Sequence, residues 1–154
     1  MKTSIRKTWR QKLEDSKDLP RIVDAPTDPK SGPFQPGRLL IPSPLMVDAA
    51  IRTIPPGQTR TAPQLREEMA RLHHADSTCP LVTGIFSNIV AHASEEAALA
   101  GDASRVTPWW RVLTKEGRPN PKFPGAPHEQ LRRLREEGVE LAMPSPRVDR
   151  RARQ

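Results

Sequence analysis

Proline sets the tightest limit on regular structure in this chain, occupying 18 of its 154 positions. Each proline fixes φ at about −65° and lacks a backbone N–H, so helices accept it in the first turn and central strands scarcely at all. Pro26, Pro29, Pro33 and Pro36, with Gly32 and Gly37, crowd the stretch from Asp24 to Arg38, which therefore predicts a linker or irregular arm. Ahead of it, Ile5, Trp9 and Leu13 recur every fourth residue among charges and predict a short amphipathic helix ended by Pro20. Residues 1–38 thus read as an N-terminal helix plus a proline-rich arm. They are either a loose basic extension or a helix docked on the core through Trp9.

From Leu39 onward the prolines fall where helices begin and end. Leu45, Met46, Ala49, Ala50 and Ile54 form a helical stripe after Pro42 and Pro44, and Pro55-Pro56-Gly57 stops it. Thr61 and Gln64 have the spacing of a capping box, with Pro63 in the first turn and Leu65, Met69 and Leu72 on the apolar face. Asp76-Ser77-Thr78 is a polar break. Pro80 opens a third helix to about Leu99, carrying Val82, Ile85, Phe86, Ile89, Val90 and Ala93 at helical spacing and ending at Gly101. Two helices joined by a short turn in a mostly helical domain suggest a helix-turn-helix.

Beyond Gly101, Arg105 to Leu113 reads as extended or loop, Lys115-Glu116-Gly117 as a turn, and residues 118–126 as a rigid loop. Pro127 to Glu137 predicts a helix with Leu131 and Leu134 inward and Gly138 after its end. Val139-Glu140-Leu141 alternates like a short strand, and residues 143–154 read as a disordered basic tail. The expected fold is mainly α with a small β wing, a winged helix-turn-helix-like domain over residues 39–142 with extended basic termini.

Composition narrows the function classes. The one cysteine excludes an internal disulfide and a cysteine-rich zinc site. No run nears the roughly 20 apolar residues of a membrane span, and Met1 to Lys7 has no apolar segment behind it. The chain is therefore expected to be cytoplasmic, without a membrane partner. His73, His74, Cys79 and His92 do not match metal-ligand spacings, so no metal or cofactor is expected. Net charge is +7, but its location matters more. Residues 105–135 hold eight basic and two acidic side chains, and this local excess surrounds Trp109-Trp110-Arg111. Arg132, Arg133 and Arg135 with Lys115, Arg118 and Lys122 could form a phosphate-contacting surface there, or a solvated face.

Four segments then follow in a known order: Ile54-Pro55-Pro56-Gly57, the helix-turn-helix, Pro108-Trp109-Trp110-Arg111-Val112, and Glu137-Gly138-Val139. Over residues 43–142 the chain resembles the DNA-binding domain of O6-alkylguanine-DNA alkyltransferases, and most closely the alkyltransferase-like proteins of that superfamily. The resemblance implies minor-groove binding of double-stranded DNA and flipping of a modified guanine into a pocket. True alkyltransferases pass the alkyl group to the cysteine of a Pro-Cys-His-Arg-Val motif, where a thiolate is the nucleophile. Here Trp109 takes the cysteine position and Trp110 the histidine position, and neither indole can act as nucleophile or base. The resemblance thus implies a non-enzymatic protein that recognises alkylated or modified bases and assists DNA repair, with repair proteins as further partners.

On that basis Thr61, Pro80, Leu81, Gly84 and Arg111 would contact DNA, and Trp109 and Trp110 would wall the base pocket. The sequence departs from the family at Ala62, where a tyrosine is usual, and at Leu81, where an arginine finger is usual. An apolar side chain can also wedge between bases. Gly84 costs about 1 kcal/mol relative to alanine inside a helix, so it marks close approach either to DNA or to another helix. Two other classes of function are open: a protein–protein adaptor that kept the scaffold without lesion binding, and an enzyme using Cys79 at a helix N-terminus.

Overall fold

The computed structural model describes residues 6–32 and 34–141. Ile5, Pro33 and the expected tail at 143–154 lie outside the described residues. The chain is a mixture of helices with two small sheets. In order, the elements are α1 (Trp9–Glu14), β1 (Arg21–Asp24), β2 (Arg38–Ile41), α2 (Pro44–Arg52), β3 (Arg60–Thr61), α3 (Ala62–Leu72), β4 (Ser77–Thr78), α4 (Pro80–Leu99), β5 (Val112–Leu113) and α5 (His128–Glu136).

The long α4 is the spine. Its inner face, with Phe86, Ile89, Val90 and Ala93, meets Leu13 of α1, Val47 and Ile51 of α2, Leu65 and Met69 of α3, and Trp109 in one buried cluster. The helix starts follow local chemistry. Ser43 caps α2 by accepting from Met46 N–H at 3.1 Å, with Pro44 in the first turn. Thr61 caps α3 in a full capping box: its hydroxyl accepts from Gln64 N–H, and the Gln64 side chain accepts from Thr61 N–H. Each such cap stabilises by about 1 kcal/mol.

Several expectations change. The proline-rich arm is bounded by strands: β1 pairs antiparallel with β2, Arg21 opposite Ile41 and Asp24 opposite Arg38. Ala25 N–H donates to Gly37 O at 2.8 Å and closes the loop between them. Gly37, at φ +116°, leaves space that a Cβ would deny to the Asp76 carboxylate, which accepts from Arg38 N–H. β2 also pairs in parallel with β4, Leu39 beside Ser77. The proline content was therefore a guide to the loop alone, because β1 lies between Pro20 and Pro26.

Helix α2 is rotated from the expected stripe. Val47 and Ile51 are buried, with Ile54 just beyond the helix, whereas Leu45 and Ala49 are exposed and Met46 and Ala50 half-buried. Asp48 shares the inner face because Thr107 Oγ1 and Arg52 Nε donate to its carboxylate, so polarity was a misleading guide to the phase. Leu72 and Ile85 are exposed rather than core. The segment Arg105–Leu113 is not simply extended: 3-10 turns span Ala103–Arg105 and Trp109–Arg111 before β5. Pro108 begins the second turn, its carbonyl accepting from Arg111 N–H at 3.1 Å. The small β element is instead β3 beside β5 in parallel, Thr61 opposite Leu113. Val139–Leu141 forms no strand.

Candidate nucleic-acid interface

The Trp-Trp-Arg segment is a structural hub. Trp109 has no exposed surface. Its indole N–H donates to Glu95 Oε1 at 3.1 Å, and its ring meets Phe123 and Trp110 edge-on at 5.4 and 5.8 Å. Trp110 is half-buried, with the Arg133 guanidinium 4.8 Å from its ring centroid. Arg111 is buried: Nη1 donates to Ile54 O at 2.6 Å, while Nε and Nη2 grip both oxygens of Glu137. Hydrogen bonding from Arg111 holds the Glu137 carboxyl below its ordinary value. Gln130, fully buried on α5, donates to the Trp110 and Val112 carbonyls and accepts from Asn120 N–H. This corrects the sequence expectation. Trp109 is closed off from solvent and Trp110 is half-buried, and the Arg111 guanidinium is taken up in fastening Ile54 to Glu137. Three of the segments that carry the resemblance converge on this guanidinium.

The arginines of α5 are likewise spoken for. Arg132 pairs with Glu129 and Glu136, and Arg133 with Glu129 and Glu95. The Arg132 hydrogen bond, with Arg133 adding to it, pulls the Glu129 carboxyl down to about 2. These cations are thus largely neutralised, and the phosphate-contacting surface expected around them is reduced to its loop members.

A groove of about 700 Å³ opens elsewhere, between the N-terminal halves of α3 and α4, the loop after β5, and α1. α4 contributes Pro80, Leu81, Gly84, Ile85 and Asn88, and α3 contributes Ala62, Pro63 and Arg66. The loop adds Thr114, Lys115, Asn120 and Lys122, and α1 adds Trp9 and Lys12. Among the described residues, four cationic side chains line it and no carboxylate does. Leu81 and Ile85, one helical turn apart, are 72% and 51% exposed. A Cβ on Gly84 would touch nothing within 4 Å, so this glycine serves no helix packing and leaves α4 bare to an approaching partner.

Of the expected DNA contacts, Pro80, Leu81 and Gly84 meet in this groove. Thr61 stands behind it as the α3 cap. Arg111, Trp109 and Trp110 are not brought to it. Lys12, Arg66, Ile85 and Asn88 were missed by sequence reasoning. The missed apolar signal was a second stripe on α4, Leu81 and Ile85, which a core-seeking count assigns inward.

The N-terminal helix is docked. Trp9 and Arg10 N–H both donate to the Glu96 carboxylate at 3.2 Å, Leu13 is buried, and Trp9 stacks on His92 at 4.5 Å. Burial holds His92 below its ordinary value, which favours the neutral ring beneath the indole. Lys12 Nζ lies 4.2 Å from the Trp9 centroid and carries its charge to the groove edge.

Cys79 is buried beside Ala25 and Leu39 and forms the N-cap of α4, donating its N–H to Leu40 O and accepting from Thr83 Oγ1 at its carbonyl. Among the described residues no cluster of three or more His, Cys, Asp or Glu could hold a metal ion, and no helix is long and apolar enough to cross a membrane. Set against known proteins, the chain matches no family model, no curated protein and no solved structure.

Proposed function

We propose that this protein is a non-enzymatic, double-stranded DNA-binding protein of the alkyltransferase-like type, with α3 and α4 acting as a helix-turn-helix. In this reading it recognises alkylated or otherwise modified bases by nucleotide flipping and hands them to repair proteins. The observation that carries the reading is the groove along α4, which among the described residues joins four cations to two exposed apolar side chains and has no carboxylate in its lining. Cations neutralise phosphates and release counterions, and an exposed leucine suits insertion into a base step. The volume is that of a small-molecule pocket, enough for one extrahelical base against Pro63, Leu81 and Ile85.

The test is a titration of the protein onto duplexes with and without O6-methylguanine at several salt concentrations. Three to four phosphate contacts predict a slope of log K against log salt of roughly −3 to −4, together with tighter binding of the modified duplex. Salt-dependent binding that ignores the lesion would remove base recognition from the account. Absence of binding at low salt would favour the adaptor reading.

A further inference from the structure

We propose that Arg66 is the anchor for a backbone phosphate of the bound strand, an assignment that rests on the DNA-binding reading above. Arg66 projects from the second turn of α3 and lines both the groove and a neighbouring cavity of about 380 Å³, between Pro63 and Pro80. It is half-buried, and among the described residues its guanidinium has no hydrogen-bond or ion-pair partner. The other described arginines fall into two groups. Arg10, Arg52, Arg60, Arg105, Arg111, Arg132, Arg133 and Arg135 are ion-paired. Arg6, Arg21, Arg38, Arg71 and Arg118 are exposed to water.

Arg66 alone in that set is half-buried without a counter-charge. Desolvation accordingly lowers its pKa. A partly buried cation in this state is costly unless an anion completes it. Glu67 and Asp76 border the smaller cavity, yet neither lies within 4.0 Å of the guanidinium, and Asp76 accepts from Arg38 N–H. The guanidinium is thus free to take an anion supplied by a partner. A phosphate fits best, because the planar guanidinium offers two parallel donors to two phosphate oxygens, and Lys115 and Lys122 line the same groove.

The test compares native protein, Arg66→Gln and Arg66→Lys in duplex binding across a salt series, with thermal melts as a folding control. Arg66→Gln should weaken binding about tenfold near 0.1 M salt and reduce the magnitude of the salt slope by about 1. The loss should be the same for modified and unmodified duplexes. Arg66→Lys should keep most of the slope. The melting temperature of Arg66→Gln should not fall, since no native bond is lost. An unchanged slope and affinity in Arg66→Gln, with native binding intact, overturns this inference alone. Failure of the native protein to bind duplex overturns it together with the function on which it rests. Deoxyguanosine monophosphate bound by the native protein as tightly as duplex, and lost in Arg66→Gln, would reassign the site to a free nucleotide and overturn the backbone assignment.

Discussion

Trp109→Ala is expected to lower the free energy of unfolding by about 3–5 kcal/mol, measured by chemical denaturation. Small domains have only about 5–15 kcal/mol in total, so this single change removes much of the protein's stability. The size follows from the position. The indole has no exposed surface, touches Phe123 and Trp110 edge-on, and donates to Glu95. Truncation leaves a cavity at the junction of α4 and the turn before β5, and frees a carboxylate oxygen that then faces Arg133 alone. Trp109→Phe keeps most of the volume and should cost markedly less. An exposed base platform would behave in the opposite way, with stability nearly unchanged and binding lost. Trp109→Ala therefore separates a tryptophan that builds the fold from one that touches DNA.

The second large effect concerns binding. The double substitution Lys115→Glu/Lys122→Glu is expected to weaken duplex affinity at least about 100-fold near 0.1 M salt and to flatten the salt slope by about 2. Both residues line the groove. Lys115 is well exposed, and its approach to Glu116 at 3.9 Å is a loose surface pair worth little. Stability should accordingly change by no more than about 0.5 kcal/mol. Arg132→Glu/Arg135→Glu, which changes the net charge by the same four units, is the matched control. Both cations already have carboxylate neighbours, Glu129 and Glu136 for Arg132 and Glu140 for Arg135, and neither lines the groove, so duplex binding should respond far less. Equal losses from the two variants, read by fluorescence anisotropy, would show that overall charge matters and the groove does not.

Which parts of this structure could be read from residues alone depended on how local their causes are. The start of α3 was legible because Thr61 and Gln64 satisfy one another across three residues. The span of α4 was legible because Pro80 opens it and Gly101, at φ +76°, follows its end. The phase of α2 was not, since one of the two donors that let Asp48 be buried, Thr107, lies 59 residues away. Strands β3, β4 and β5 have two residues each, too short for an alternating pattern to register. Pro80, Leu81 and Gly84, which the resemblance pointed to, lie together in the groove because they share one accessible stretch of a single helix. Trp109 and Arg111 went to the interior instead. Their partners, Glu95 and Glu137, are separated from them by 14 and 26 residues. Adjacent aromatics beside cations look alike in sequence whether they receive a base or hold loops together.

In the proposed reading, DNA lies along the N-terminal half of α4. The most direct measurement is backbone amide chemical-shift mapping of isotope-labelled protein titrated with a short duplex. DNA bound there should concentrate the shifts at Arg66, Leu81, Gly84, Ile85, Asn88 and Lys115, diminishing as salt rises. Shifts confined to β1, to α5 or to the far end of α4 near Leu99, with the groove amides unmoved, would contradict it.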